Sequence, residues 1–330
     1  MNDPLRRQQL NSLKLHALVR EHFGVRVPVA ADQPNGFGAG AAWCVDGVAW
    51  VLLDEQPERG LGPALAWAVR SAATRLHVLA ERGTGQLARR AAGFTFSITV
   101  WRVGGRTLEP AVPELLAASP PLAAEHQQFS AVISAAGAAP VVEHGVLAGE
   151  VLGLEVCRVV ADPDSGEVRL EVGIGAHDRE VFQMLHGNRP TPEALADVVR
   201  SVAARRSPGS PRHPFNLLAR ERMLRSLLVD QPGLLGAQSV VVAPPPLPRP
   251  NLKDPVPCVA VASIAAGQVA VVCSSGVDLD LVPFAVDACD ALGLDECIIV
   301  VPSRDALPIQ RRIASMARAT ITMVGVDAVA

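Results

Sequence analysis

The chain has 330 residues, of which 49% are hydrophobic and 19% charged, with a formal net charge of −3 and a mean hydropathy of +0.26. This composition supplies enough apolar surface for two or three domains and excludes a globally disordered chain. The small net charge gives no overall attraction to nucleic acid or anionic lipid, and no apolar run approaches the length of a membrane span.

The cysteines and lysines exclude further classes of chemistry. The six cysteines show no CxxC spacing, so we expect buried free thiols, with no metal site and no disulfide framework. Lys14 and Lys253 are the only lysines, so residues 15–252 cannot supply the lysine of a Walker A loop, a Schiff base or a nuclease E-x-K motif. Arginine in place of lysine, with abundant alanine and valine, resembles the composition of proteins from high-GC actinobacteria.

The first segment, residues 1–115, predicts an α/β unit. Asp3 and Pro4 suit the start of a helix and no signal-peptide apolar region follows, so we expect a cytoplasmic protein with no membrane partner. An apolar strand near residue 50 leads through an acidic loop into a helix. A second strand at 76–81, a helix at 87–92 and a third strand at 98–103 complete a β-α-β-α-β pattern.

A glycine-rich loop lies between the second strand and the second helix of this unit. Gly83, Gly85 and Ala88 form G-x-G-x-x-A, the context in which backbone N–H groups bind phosphate at a helix N-terminus. A nucleotide-binding protein is therefore one alternative. The other alternative is a tight turn into an exposed helix, because the motif follows the second strand of the unit and not the first.

The central segment, residues 116–235, predicts a β-hairpin followed by helices. Residues 129–175 are rich in β-branched side chains and contain the turn sequence Pro163-Asp164-Ser165-Gly166. Helices are expected from Asp178 to about 187, from Thr191 to about 204, and over about 215–229, with a Ser/Pro/Gly loop before the last.

The last segment, residues 236–330, predicts a proline-rich linker at 244–257 and a second β-α-β-α-β unit. Its strands and helices match those of the first unit at an offset that stays between 220 and 222 residues. The predicted fold class is therefore α/β, with two Rossmann-like units at the ends of the chain, related as an internal repeat, around a central hairpin and helices.

The carboxyl ends of parallel strands are where such sheets bind ligands, and charged residues stand at these positions in both units. In the first unit these residues are Asp54, Glu55, Glu58, Arg59 and Glu81. In the second unit they are Asp278, Asp280, Arg304 and Asp305. Solvated loops and helix caps are the alternative explanation.

Three carboxylates of the central segment suggest a catalytic site. Glu143 before the hairpin, Glu155 on its first strand and Glu171 on its second resemble, over about 40 residues, the acidic residues of the PD-(D/E)XK nuclease superfamily. That resemblance implies Mg²⁺ bound by the carboxylates and activation of water. Gly173, however, stands where the family has lysine.

The hairpin register favours a structural role for the same residues. A four-residue turn pairs Asp162 with Glu167 and Arg158 with Glu171, which places Glu155 and Glu171 on opposite faces, where they cannot share a metal. We therefore expect no metal site, an ion pair between Glu171 and Arg158, and Asp178 as a helix cap. His177 and, as the alternative to a cap, Asp178 are further catalytic candidates.

Residues 200–225 hold seven arginines and a single glutamate. Such an excess predicts a phosphate-binding surface, with Arg222 and Arg225 on the exposed side of the third helix. The arginines expected to form it are Arg205, Arg206, Arg212, Arg222 and Arg225. Two classes of function follow: a nucleic-acid-associated protein, as a divergent or degenerate nuclease, or a non-catalytic interaction protein that binds a protein partner or dimerises. Whether the chain is an enzyme stays open.

Overall fold

A computed structural model describes residues 4–25, 37–38, 40–162, 164–175, 178–179, 191–206, 213–249 and 256–327. Over these ranges the protein is a mixed α/β structure with three sheets, which confirms the predicted α/β class. The chain divides into two compact units. Unit 1 consists of Met1–Leu116, Asp278–Asp295 and Leu307–Thr322, and unit 2 of Ala117–Val277, Glu296–Ala306 and Met323–Ala330. The three predicted segments, 1–115, 116–235 and 236–330, stay a prediction.

The N-terminal part of the chain forms a five-stranded sheet in the order β1-β2-β3-β4-β5. Strands β2, β3 and β4 are parallel, whereas β1 and β5 pair antiparallel at the edges. Strands β2 and β3 are almost wholly buried, as expected of parallel strands covered on both faces. The elements are α1 (Pro4–Phe23), β1 (Ala41–Val45), β2 (Val48–Leu53), α2 (Leu61–Arg70), β3 (Arg75–Ala80), α3 (Thr84–Ala92), β4 (Ser97–Gly104) and β5 (Thr107–Pro110).

Helix α1 packs on this sheet through Leu15, Leu18 and Val19, which are buried together with Trp43 and Trp50. The spacing of these three residues places them on one face of the helix, so their burial fixes which side of α1 faces the sheet.

The central part of the chain forms a four-stranded antiparallel sheet in the order β6-β7-β8-β9, of which the predicted hairpin is the last pair. At the hairpin turn, the Asp162 side chain accepts hydrogen bonds from the N–H groups of Asp164 and Ser165 at 3.0 and 2.9 Å. The elements are α4 (Ala124–Gln127), α5 (Phe129–Ala135), β6 (Ala139–Glu143), β7 (Val146–Val151), β8 (Leu154–Ala161), β9 (Val168–Val172), α6 (Thr191–Arg206) and α7 (Arg220–Asp230).

The predicted third helix, 215–229, begins later than expected. A 3-10 turn covers Pro214–Leu217, and Ala219 takes a left-handed backbone conformation with φ of 47° before α7 begins at Arg220. The helix predicted after Asp178 falls largely on residues 180–190, outside the described residues.

The C-terminal part of the chain forms a five-stranded sheet in the order β10-β11-β12-β13-β14. Strands β10, β11 and β12 pair antiparallel, whereas β12 and β13 are parallel. The elements are β10 (Ser239–Ala243), β11 (Cys258–Ile264), β12 (Gly267–Cys273), α8 (Leu281–Leu292), β13 (Glu296–Pro302), α9 (Pro308–Ala314) and β14 (Thr320–Val326).

Two segments of the chain have the same order of elements, β2-α2-β3-α3-β4 and β12-α8-β13-α9-β14. Within unit 1, the helices α8 and α9 of the second segment pack against α2 and α3 of the first. That the two segments superpose as Rossmann-like copies of one unit stays a prediction. Among the described helices, none combines the length and apolar character that a membrane crossing requires.

Candidate ligand-binding site

The hairpin carboxylates bind arginines. The register is as predicted, with Arg158 opposite Glu171. The predicted ion pair between these two residues is wrong, because Arg158 donates to both carboxylate oxygens of Glu155 at 2.9 and 2.8 Å. Glu171 instead accepts from Arg169 at 2.9 Å.

A second guanidinium reaches both carboxylates of the nuclease-like pattern. Arg179 is buried, its Nη1 donates to Glu155 at 2.9 Å, and its Nε lies 3.6 Å from Glu171. Asp178 accepts the N–H of Ile174 at 2.7 Å, a local turn contact. His177 lies outside the described residues, which contain no cluster of three or more His, Cys, Asp or Glu side chains arranged to hold a metal ion.

Glu143 belongs to a buried ion-pair cluster with Glu150, Arg222 and Arg225. Arg225 donates to Glu143 at 2.6 Å and to Glu150 at 3.1 Å. Arg222 binds the same two carboxylates, with 2.5 Å to Glu150. Although burial acts to raise it, the pKa of Glu143 is lowered because the two guanidinium groups lie against it.

The expectation that Arg222 and Arg225 lie on the exposed side of the third helix is therefore wrong. The two side chains are buried, with residue exposures of 7% and 1%. Leu224 and Leu228 of the same helix are buried in an apolar cluster with strands β10–β12. The arginines thus occupy the packed part of the helix, where the bound carboxylates offset the cost of burying their charge.

Of the other predicted phosphate-binding arginines, the two that the structure describes do not share a surface. Arg206 is buried, and its guanidinium donates to the carbonyls of Leu218 and Leu152 at 2.9 and 3.0 Å. Burial lowers the pKa of Arg206 to about 10. Arg205 is exposed and bonded to Ser201, and Arg212 lies outside the described residues.

Carboxylates cover the glycine-rich loop. A Cβ at Gly83 would lie 3.5 Å from Glu58 Oε2, and a Cβ at Gly85 would lie 2.8 Å from the Glu114 side chain. The Glu114 N–H also donates to the Gly85 carbonyl at 3.0 Å. These glycines therefore permit close approach of neighbouring acidic segments, which explains their place in the loop without a bound phosphate.

The carboxyl-end residues of the second β-α-β-α-β segment are engaged in the fold. Asp280 is buried and accepts hydrogen bonds from Arg90 at 2.5 Å and from the Gly62 N–H at 3.1 Å. Asp305 accepts the Gly276 N–H at 2.8 Å. Of the predicted set, Arg304 is left exposed, 3.8 Å from Asp305.

The carboxyl ends of β2 and β3, by contrast, border an open pocket of about 270 Å³, which we call the polar pocket. It lies where parallel sheets bind ligands, and helix α1 supplies its other wall. Its lining consists of Arg7, Asn11, Lys14, Leu52, Leu53, Asp54, Pro57, Glu81 and Arg82.

Ion pairs organise the polar pocket. Arg7 Nε and Asn11 Nδ2 donate to the same oxygen of Asp54 at 2.7 and 2.9 Å, and Lys14 binds Glu81. The hydrogen bond from Arg7 holds the pKa of Asp54 below its usual value. Arg82 is exposed and forms no ion pair with any side chain that the structure describes.

The acidic residues of this pocket were predicted from their place at strand ends. The basic and amide side chains that α1 contributes were not predicted. Arg7, Asn11 and Lys14 follow one another at helical spacing, so they form a polar row on a single side of α1. This row runs beside the apolar row of Leu15, Leu18 and Val19, and that pairing is the sequence signal that could have placed it at the sheet edge.

Comparison of the chain with protein-family models, with curated proteins and with solved structures finds no match.

Proposed function

We propose that the chain binds a small anionic molecule in the polar pocket. The observation that carries this proposal is the charge balance of the pocket lining. Three cations, Arg7, Lys14 and Arg82, stand against two carboxylates, Asp54 and Glu81. Each carboxylate is already bound by a cation of α1, so the guanidinium of Arg82 is left for a ligand.

The position of the pocket supports the same proposal. Its walls are the ends of two buried parallel strands and one face of a packed helix, and such rigid elements hold polar groups in fixed places. An arginine is suited to carboxylate and phosphate groups because its planar N–H donors match both.

The interpretations as a nucleic-acid-associated protein and as a non-catalytic interaction protein stay predictions. Three of the five arginines named for phosphate binding, Arg206, Arg222 and Arg225, are buried, so they support a structural role. Mg²⁺ chemistry at Glu155 and Glu171 has no support from the structure either, because Arg179 already lies against both carboxylates.

The proposal is tested by titrating the purified chain with acetate, succinate, inorganic phosphate and pyrophosphate, using isothermal calorimetry. Arg82→Gln removes the uncompensated cation. The matched control is Arg75→Gln, an exposed arginine at the opposite end of β3. We expect Arg82→Gln to weaken binding by about tenfold or more, the value of a lost charge-assisted hydrogen bond.

Binding that is unchanged in Arg82→Gln, or weakened equally by Arg75→Gln, would contradict the proposal. So would the absence of heat from all four anions at low ionic strength, where charge attraction is strongest.

A further inference from the structure

A second pocket, of about 360 Å³, lies at the carboxyl end of β2 and shares Leu53 and Asp54 with the polar pocket. We call it the apolar pocket, because six apolar side chains form much of its wall. They are Phe37, Leu53, Pro63, Ala66, Trp67 and Leu279. A cavity of this size with two aromatic side chains is typical of sites that enclose a small ring-containing ligand.

The aromatic side chain of Trp67 is placed differently from the other tryptophans. Trp43 and Trp50 are buried in the core beneath α1, and Trp101 packs against the same cluster. Trp67 lies on α2, half-buried, and its side chain lines the pocket. A ligand that covers such an open apolar surface removes it from water, and this burial contributes favourable binding free energy.

The charges around the apolar pocket leave one cation available. Arg7 binds Asp54 and Glu55, and Arg59 donates to Asp278 at 2.8 Å. Arg70, one turn beyond Trp67, is exposed and forms no ion pair within the described part of the chain. An anionic ligand therefore meets an unpaired guanidinium at either pocket, Arg70 here and Arg82 in the polar pocket.

We propose that the apolar pocket binds the ring-sized apolar part of the ligand whose anionic group lies in the polar pocket, so that the ligand class is a small aromatic or branched aliphatic acid. This inference rests on the proposed function for the anionic half of the ligand. The apolar half rests on the pocket walls alone, and the two halves are separable by experiment.

Phenylacetate and hydrocinnamate are the anionic probes, and benzyl alcohol is the neutral probe of the same ring size. Binding is followed by tryptophan fluorescence, excited where phenyl rings do not absorb, in the full chain and in Trp67→Phe. We expect a Kd on the order of 1 mM for the better acid, the range for ligands of this size. The fluorescence change should disappear in Trp67→Phe, while calorimetry still detects binding.

A filled pocket provides the decisive variant. Ala66 is buried on the α2 face that lines the pocket, so Ala66→Leu places extra methyl groups in the cavity and should weaken the acids and benzyl alcohol by about tenfold or more. Ala17→Leu, the same change on the exposed side of α1, is the control and should leave binding unchanged.

The outcomes separate this inference from the proposed function. The inference is supported if the acids bind more tightly than benzyl alcohol, if Arg82→Gln removes that difference, and if Ala66→Leu weakens the binding of both the acids and benzyl alcohol. If phosphate or acetate binds through Arg82 while the phenyl probes bind no more tightly than acetate, the inference is overturned and the proposed function stands. If benzyl alcohol binds as well as the acids and only Ala66→Leu weakens it, the assignment of an acidic ligand to the apolar pocket is overturned, and the proposed function is decided by the titration with small anions.

Discussion

Replacement of Arg225 by methionine tests whether the buried ion-pair cluster has a structural role. In the native chain, Arg222 and Arg225 face Glu143 and Glu150, so two positive and two negative charges balance in a buried place. Methionine fills a similar volume without charge. The variant leaves two carboxylates against one guanidinium, and therefore one uncompensated negative charge.

The expected cost follows from that imbalance. Breaking a buried pair by removing one partner costs about 3–5 kcal/mol, because the remaining charge has lost both water and its counter-ion. Arg225→Met combined with Glu150→Gln restores neutrality and keeps the pair of Arg222 with Glu143. The double variant should therefore recover about 2–3 kcal/mol of the loss, which appears as a coupling energy in the double-mutant cycle.

Hydrogen–deuterium exchange followed by mass spectrometry is the appropriate assay. All four tryptophans, at positions 43, 50, 67 and 101, belong to unit 1, so tryptophan fluorescence reports that unit alone. Peptides covering β6, β7 and α7 report unit 2. In Arg225→Met their protection should fall by about two to four powers of ten, while the fluorescence transition of unit 1 supplies an internal reference.

Arg205→Met is the matched control, because Arg205 is exposed and, among the described residues, its guanidinium binds its helix neighbour Ser201 and lies over the Phe215 ring. It should change stability by no more than about 0.5 kcal/mol. Exchange in Arg225→Met that matches the native chain would refute the structural assignment. It would return Arg225 to the list of available phosphate-binding residues.

Three further predictions concern unit 1 and the thiols. Burial lowers the pKa of His77 to about 4, so protonation is less favourable in the folded state than in the unfolded chain, and stability is lost as pH falls from about 6.5 to 4. His77→Gln keeps a hydrogen-bond acceptor for the Trp101 N–H. Unfolding of this variant, followed by tryptophan fluorescence, should depend less on pH between about 6.5 and 4 than unfolding of the native chain. An unchanged pH dependence would contradict the role given to His77. Cys44 is half-buried and the other five cysteines are buried, so alkylation of the native chain, read by mass spectrometry, should label Cys44 first. Gly62→Ala should destabilise unit 1 by at least about 2 kcal/mol in thermal unfolding, because its Cβ would lie 1.9 Å from the Leu279 carbonyl; Gly233→Ala, which meets nothing within 4 Å, is the neutral control.

The strands and the hairpin could be predicted because their signals are local. The buried parallel strands are continuous apolar runs. The hairpin turn has the Asp162 side chain, which accepts backbone N–H groups of the turn, and a glycine at position 166. The place of Asp54 and Glu81 at strand ends followed from the same pattern, since parallel strands that share a sheet end at the same edge.

The environment of the arginines could not be predicted in this way, because it depends on partners distant in the chain. Glu143 lies 82 residues from Arg225, and no helical spacing indicates such a pairing. One local signal was nevertheless present. Arg225 lies between Leu224 and Leu228 at helical spacing, so a helix that buries the leucines also buries the arginine, and a buried arginine requires hydrogen-bond acceptors, of which carboxylates also offset its charge.

The same principle explains why the two β-α-β-α-β segments differ as places for a ligand. A buried carboxylate that already accepts hydrogen bonds from an arginine or a backbone N–H has few free acceptor sites, and this is the state of Asp280 and Asp305 in the second segment. In the first segment, Asp54 and Glu81 are partly open to water and bound by side chains of α1, which can rearrange at smaller cost. Acidic residues that follow the strands of the two segments therefore stabilise the fold in one segment and border an open pocket in the other.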